Sequence, residues 1–443
     1  MRVLALDVGT SSVRAQVFGP AAAERNPARV DYAGETDPEK LVSAARKAIR
    51  SSGAAKVDAR GASCFGHSLV ALGRDGDPLT PVLGWRDTRS AAAAEWLARA
   101  VDGGAVHART GCHIHTSYWP AKLVWLAQEH PRLFRRARFL SFADYLYRQL
   151  LKTEVPSSVS LASGTGLLDL HTRTWDEELL SVLGISSDRL PEISDEPVRG
   201  WYPALIDGAC SNVGAGCVGP KRAALMVGTS GALRTVYETE LPQPRRGLFL
   251  YRLDERRVVE GGALSDGGNL HRWLNQTLKE APGSLRGRDP DSHGLTFLTL
   301  LGGERSPGWH PDASGAIRGL TLDTTALDLR QAALEGVAFR FAEVLELMPE
   351  VDEVVATGGA LLKDRDWVQI MADALARPVT LSRVKEASLR GAALVTLERL
   401  GGRRREAAVG AVVEPRPEHA DAYRAAFERQ RELYEVATSA PTS

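Results

Sequence analysis

One short pattern occurs twice and constrains this chain more than anything else in it. Leu4-Ala5-Leu6-Asp7-Val8 runs into Gly9-Thr10-Ser11, and Ala223-Ala224-Leu225-Met226-Val227 runs into Gly228-Thr229-Ser230-Gly231. An apolar run that stops at a glycine reads as a buried strand entering a tight turn. After the first turn, Val13-Arg14-Ala15-Gln16-Val17-Phe18 alternates apolar and polar with period two, so the chain folds back as a second strand. Two such units, a little over two hundred residues apart, predict duplicated α/β domains facing one cleft. A chain of 443 residues has room for about two to three domains.

Periodicity fills in the rest. Residues 38–52 read as an amphipathic helix with Leu41, Ala44, Ala45 and Ile49 on one face. Gly61-Ala62-Ser63-Cys64 and Val70-Ala71-Leu72 read as a strand pair, turned at Arg74-Asp75-Gly76-Asp77. Helices follow at 89–101, 119–129 and 141–151. The Ser-, Gly- and Pro-rich stretch 154–202 reads as loops with one helix near 176–183, leading to a domain boundary. In the second half the spacing predicts helices at 325–348, 365–376 and 417–438. Between the first two lies a short buried strand, Glu353-Val354-Val355-Ala356, and residues 438–443 read as a frayed tail.

Composition removes several classes of function. Lys plus Arg and Asp plus Glu each number 55, so there is no basic excess of the sort a nucleic-acid binder shows. A local basic patch in a cleft remains compatible with that balance. No apolar run approaches the ~20 residues of a membrane helix. The apolar stretch of the N-terminus is too short for a signal peptide and is interrupted by an acid and a glycine. Cys64, Cys112, Cys210 and Cys217 form no CxxC pair, so they read as lone buried thiols in a reducing cytoplasm rather than as a zinc site or disulfide framework.

The turns carry the first chemistry. In Asp7-Val8-Gly9-Thr10-Ser11-Ser12 a glycine turn can aim backbone N–H groups at an anion, the hydroxyls add donors, and an aspartate at a strand end can hold Mg²⁺ through water. An ordinary hairpin turn with solvent-facing hydroxyls has the same sequence. Gly228-Thr229-Ser230-Gly231 is a second candidate phosphate turn. Thr357-Gly358-Gly359-Ala360 is a third glycine turn, open enough for a flat nucleotide to approach. No Walker loop or dinucleotide fingerprint is present. Asp207 ends a short apolar run and could take a proton from a substrate hydroxyl, although a helix N-cap aspartate fits its local sequence as well. His67-Ser68 and Trp85-Arg86-Asp87-Thr88-Arg89 suit a polyol: His and Asp bond hydroxyls, Trp packs on carbon faces, and Arg grips a carboxylate. His113-Ile114-His115 has no further ligand pattern and reads as surface or site edge rather than as a metal pair.

In this order the motifs resemble the FGGY carbohydrate kinase family, and within it the gluconokinase-like branch. The resemblance rests on Asp7–Arg14, Gly66-His67-Ser68-Leu69, Pro78-Leu79-Thr80-Pro81, Trp85–Ser90, and Tyr118–Trp125 with Pro120-Ala121-Lys122-Leu123. It continues through Ala162–Leu167, Asp207-Gly208, Met226–Ala232, Gly261-Gly262-Ala263, Gly303–Pro307, Gly358-Gly359-Ala360, Gln369–Asp373 and Gly391-Ala392-Ala393. It implies two ribonuclease-H-like, actin-like ATPase domains flanking a deep catalytic cleft. Residues 1–219 would carry the sugar site and phosphate loop, and residues 220–443 the nucleotide site. It implies ATP and Mg²⁺ as cofactors. Asp207 would be the catalytic base and Asp7 the metal organiser. Thr10, Ser11, Ser12, Arg14, Gly228 and Thr229 would lie at the phosphates, and Gly358, Gly359 and Ala360 at the nucleotide. His67, Ser68, Trp85, Asp87, Tyr118 and Lys122 would lie at the sugar.

The partners expected are a sugar or sugar acid and ATP, with no nucleic acid and no membrane; a homodimer stays open. Three features depart from the family pattern: a short segment between Asp169 and Asp207, Ile206 in place of a small residue, and Arg86 where a neutral one is common. Arg86 favours an anionic substrate or simply faces solvent. Ser68 after the histidine leans towards gluconate, where xylulose kinases tend to carry glycine. The competing readings are a xylulose or other polyol kinase and, from another class, a non-catalytic actin-like ATP-binding regulator, which would need no base at Asp207.

Overall fold

The computed structural model describes residues 1–19, 26–54, 56–278, 283–403 and 405–439. Of the expected frayed tail, residues 440–443 lie outside the described residues.

Two mixed sheets carry the fold. In the first half, β1 (Val3–Val8) and β2 (Ser12–Phe18) form an antiparallel hairpin. β3 (Ala28–Asp31) pairs with the outer side of β2, and β4 (Ala59–Cys64) runs parallel to β1. β5 (Val70–Leu72) and β6 (Arg138–Leu140) stand apart as their own antiparallel pair, and β7 (Leu205–Ile206) runs parallel to β4. The sheet order is β3-β2-β1-β4-β7.

The second half begins with β8 (Arg222–Val227), β9 (Gly231–Glu238), β10 (Phe249–Arg252) and β11 (Arg257–Leu264). After a small pair, β12 (Thr296–Leu298) and β13 (Ala316–Arg318), it is completed by β14 (Glu353–Thr357), β15 (Val379–Ser382) and β16 (Val409–Val413). The order is β10-β11-β9-β8-β14-β15-β16. Without its two edge strands this reads β11-β9-β8-β14-β15. That order repeats the first sheet's run of two antiparallel and then two parallel neighbours.

The expected pairing of Gly61–Cys64 with Val70–Leu72 does not form. β4 is taken up on both sides by parallel partners, β1 and β7, so β5 pairs with β6 instead. The turn expected at Arg74–Asp77 is present, closed by the Asp77 carbonyl accepting from the Gly73 N–H.

Cores form where the amphipathic faces meet the sheets. The helix Pro38–Ser51, capped by Asp37 accepting from the Glu39 and Lys40 amides, puts Leu41, Val42, Ala45 and Ala48 against Leu4, Leu6 and Val8. The opposite face of β1, with Val3 and Ala5, packs on helices Asp207–Ala215 and Ala387–Arg399. These two helices cross at glycines. A Cβ on Gly214 would sit 1.8 Å from the Ala387 carbonyl oxygen, and one on Gly391 would sit 1.8 Å from that of Cys210. The second half is built around Ala326–Leu347 and Arg365–Leu375. All four cysteines are buried and free. Among the described residues no helix is long and apolar enough to cross a membrane.

Candidate functional site

Asp207 is the first residue of the helix that begins directly after β7, and its carboxylate accepts from the Gly208 N–H at 2.8 Å. The chain bends here at the parallel edge of the first sheet, which aims the carboxylate into a cavity of about 100 Å³ lined from both halves. The first half contributes Phe65, Gly66, His67 and Trp85, and the second contributes Ser230, Arg234 and Arg305. Surrounding protein pushes the Asp207 pKa up to about 6; Arg234 opposes that rise and the Asp7 charge adds to it. Arg234 lies over Gly208, where a Cβ would meet its guanidinium at 2.5 Å, so a larger residue beside the acid would force the arginine to shift. A carboxyl group in this setting can accept a proton near neutral pH.

This placement sets a pH dependence. If Asp207 must be ionised to act, kcat/KM rises with pH through about 6 and then levels, instead of levelling near the ordinary carboxylate value of 3.8. Arg234→Met removes the cation that favours the charged form, so the acid limb moves to higher pH. A pH–rate profile of both proteins checks this, and a limb that stays put in the variant would count against the pairing.

The two Gly-Thr-Ser turns approach the site from either side. In the first, the Gly9 N–H donates to the Ser12 carbonyl at 3.0 Å and the Tyr32 hydroxyl to the Gly9 carbonyl at 2.7 Å, which leaves Thr10 and Ser11 exposed. Asp7, at the end of β1, is 4% exposed and ion-paired with Arg14 at 2.8 Å; Arg14 also reaches Glu386 at 3.2 Å. Burial pushes the Asp7 pKa up against the pull of Arg14. The Ser12 hydroxyl, 1% exposed, has no hydrogen-bond partner among the described residues.

In the second turn, the Gly228 and Thr229 carbonyls accept from the Gly268 and Asn269 amides at 2.7 and 2.9 Å. Next to it opens a cavity of about 600 Å³ lined by Gly268, His271, Gly359, Ala360 and Lys363. Gly358 has φ +88° and a Cβ there would meet the Val227 carbonyl oxygen at 2.4 Å, whereas nothing crowds Gly359. The glycine pair thus packs on β8 with one residue and leaves the other open to the cavity.

The expected sugar-side residues divide into two groups. His67 and Trp85 line the Asp207 cavity. His67 holds φ +62°, a conformation that non-glycine residues rarely adopt, and its Nδ1 bonds the Gly164 carbonyl. Burial first, and then the Arg305 charge, push its pKa down to about 3. The ring is therefore neutral and donates through Nδ1, which leaves Nε2 as an acceptor.

Ser68, Tyr118, Lys122 and Asp87 do not line that cavity; the first three hold its wall. The Ser68 hydroxyl accepts from the Phe142 amide at 3.1 Å, and Tyr118 bonds the Tyr251 hydroxyl at 2.6 Å beneath His67. Lys122, 1% exposed, donates to the His67 and Ser117 carbonyls at 2.9 and 2.7 Å. Asp87 is paired with Arg89. Of the histidine pair, His113 stacks between His107 and Trp309, while His115 is buried at the edge of a second cavity beyond Trp85. Sequence reasoning gave no role to Arg234 or Arg305, which reach the cavity from β9 and from the loop after β12. Arg305 falls within a motif that carries the resemblance, but Arg234 has no local signal.

Two sheets of one shared order, a cleft between them and glycine turns entering from each define a two-domain fold of the actin-like ATPase type. Residues 2–197 match the FGGY family of carbohydrate kinases, N-terminal domain, and residues 223–397 match the C-terminal domain of the same family. The chain belongs to the FGGY family of carbohydrate kinases. It is 28% identical to a gluconokinase of Bacillus subtilis (strain 168) over 451 residues, covering 90% of this chain and 88% of that protein. It is 30% identical to a xylulose kinase of Streptomyces rubiginosus over 452 residues, covering 93% and 90%. The crystal structure of a gluconate kinase from Lactobacillus acidophilus superimposes with a TM-score of 0.90 at 25% identity, covering 99% of this chain and 98% of that one.

Proposed function

We propose that this kinase transfers the γ-phosphoryl group of ATP to a hydroxyl of gluconate, giving 6-phosphogluconate and ADP. The observation that carries the reading is Asp207, an acid of raised pKa in a small cavity shared by both halves, backed by Arg234 and faced by the neutral His67. His67 Nε2 accepts from an acceptor hydroxyl and orients the sugar. Asp207 takes the proton from the hydroxyl to be phosphorylated, that oxygen bonds the γ-phosphorus, and the bond to the ADP oxygen breaks. Thr10, Ser11, Gly228 and Thr229 flank the phosphates, and Gly358, Gly359 and Ala360 border the nucleotide cavity.

The Asp7 charge opposes ionisation of Asp207, and the Ser12 hydroxyl, unpartnered among the described residues, lies in the turn that follows Asp7; this donor set fits a hydrated hard cation. Mg²⁺, when bound, supplies charge neutralisation of the phosphate oxygens. Asp7 would hold it through water, since one carboxylate oxygen already accepts from Arg14.

Gluconate is favoured over xylulose by the relative named gluconokinase and by the cationic surroundings of Trp85. A coupled ADP-release assay over gluconate, xylulose, ribulose, glycerol and rhamnulose should give gluconate the highest kcat/KM. Xylulose in first place would replace gluconate as the acceptor. No stimulation by any of them would end the sugar-kinase reading.

A further inference from the structure

Beyond Trp85, away from Asp207, the cleft is lined mainly by cations. A second cavity of about 330 Å³ adjoins the first and shares Trp85 and Arg305 with it. Three arginines line it: Arg86 from the first half, and Arg272 and Arg305 from the second. The guanidinium carbons of Arg86 and Arg305 stand 4.6 and 5.0 Å from the Trp85 ring centroid. The indole is thus already engaged by cations, where the sequence suggested a platform for sugar carbons.

Among the described residues none of the three arginines forms an ion pair or a side-chain hydrogen bond. Arg305 is only 9% exposed, and its buried Nε has no partner. Glu304, the one acid in the lining among the described residues, is 2% exposed and committed elsewhere: Arg340 pairs with it and the Tyr434 hydroxyl donates to it at 2.9 Å. Arg86 feels the resulting excess, since burial and then repulsion from Arg272 and Arg305 hold its pKa below the ordinary value. Arg305, buried and unpaired, is costly until an anion joins it, while Arg86 and Arg272 are exposed at the cavity mouth; planar donor forks of this kind suit a carboxylate.

We propose that this cavity is a carboxylate subsite spanning the two domains, so that the acceptor is a polyhydroxy acid whose acid end lies among Arg86, Arg272 and Arg305 while its far hydroxyl reaches Asp207. The inference rests on the kinase reading above and adds to it a reason for discriminating against neutral sugars. Arg86 stands on the rim in the first half and Arg272 opposite it in the second, so a bound carboxylate also removes the repulsion that opposes closure of the cleft. The phosphates of ATP are the other anion within reach, because Thr229 and Asn269 line the same cavity.

The test is steady-state kinetics of Arg86→Met and Arg272→Met with gluconate and with two neutral acceptors, xylulose and glucitol, at varied ATP. A charge-assisted hydrogen bond lost only by the acid predicts that the ratio of kcat/KM for gluconate over that for the neutral acceptors falls about 10- to 100-fold. Arg86→Lys should recover part of the ratio. An unchanged ratio overturns the proposal, as does an effect confined to the KM of ATP, which would give these arginines to the nucleotide. If the wild-type protein turns over none of the acceptors, the kinase reading fails by itself and the subsite is judged by calorimetry. Gluconate, but not glucitol, should then bind the wild-type protein, and Arg86→Met should weaken that binding by a similar factor. Equal binding of gluconate and glucitol would overturn the subsite.

Discussion

Asp207→Asn should lower kcat by about 10²- to 10⁴-fold, the usual contribution of a positioned general base, while the affinity for ATP stays near that of the wild-type protein. The amide keeps the shape of the side chain and can still accept from the Gly208 N–H, so the helix start is preserved and only the proton acceptor is lost. The same substitution should leave the protein no less stable. The folded-state pKa of Asp207 is raised from 3.8 to about 6, so above pH 6 the folded protein holds an ionised carboxylate in a setting that disfavours it. A neutral amide avoids that cost, although it leaves Arg234 without the nearby charge. Loss of turnover with an unchanged or higher melting temperature at pH 8 is therefore the expected signature. A variant that melts well below the wild type would make Asp207 a structural cap, and one that keeps its turnover would remove the base assignment.

The architecture was legible in the sequence to the extent that its signals are local. The hairpin of β1 and β2 places Asp7 opposite Arg14, seven positions away, so the ion pair and the turn are written in one short stretch. The helix Pro38–Ser51 announces itself through its apolar face and through Asp37 and Pro38 at its start. The parallel pairings were not legible. β4 is buried between β1 and β7, and the partner that sequence proximity suggested, β5, belongs to a different pair. A parallel neighbour arrives from far along the chain, and no local period records where it will dock.

The candidate site divides in the same way. Asp207 and the glycine turns sit at strand ends, where a break in the apolar run marks them. Arg234 sits mid-strand in β9, opposite Ala224 on one side and Gly261 on the other. Its value to the site comes from lying over Gly208, which only the assembled cleft brings about. Ser68 and Lys122 show the converse. They are polar residues within a motif that resembles a sugar site, but their bonds go to the Phe142 amide and to the His67 and Ser117 carbonyls. They fix His67 in its left-handed backbone conformation without reaching the cavity themselves.

Arg340→Met should destabilise the protein by about 3–5 kcal/mol at pH 8, the typical cost of removing one partner from a buried ion pair. Arg340 lies in the long helix Ala326–Leu347 with 2% of its side chain exposed; it pairs with Glu304 and Glu343, and its guanidinium stands 4.7 Å from the Tyr434 ring centroid. Methionine fills much of the volume, so the loss is electrostatic rather than a cavity effect. It strands two carboxylates, and the sign of the pH dependence follows from that. Burial already pushes the Glu343 pKa up to about 7, and Arg340 is the main influence holding it down. Without the arginine the folded-state pKa rises further, so the penalty for ionisation is absent at low pH and grows as pH rises through the range above the unfolded value of 4.5. Urea midpoints at pH 6 and pH 8 should therefore differ more in the variant than in the wild type, with the larger loss at pH 8. Adding Glu304→Gln should recover part of it by removing one stranded charge. The consequence for the cleft is specific as well. Glu304 adjoins Arg305, and once released from Arg340 it becomes a counter-charge for the arginines of the 330 Å³ cavity. Binding of gluconate should then weaken in the single variant and return in the double. Equal losses of stability at the two pH values would show that Arg340 acts through packing, and that the buried acids carry no charge for it to balance.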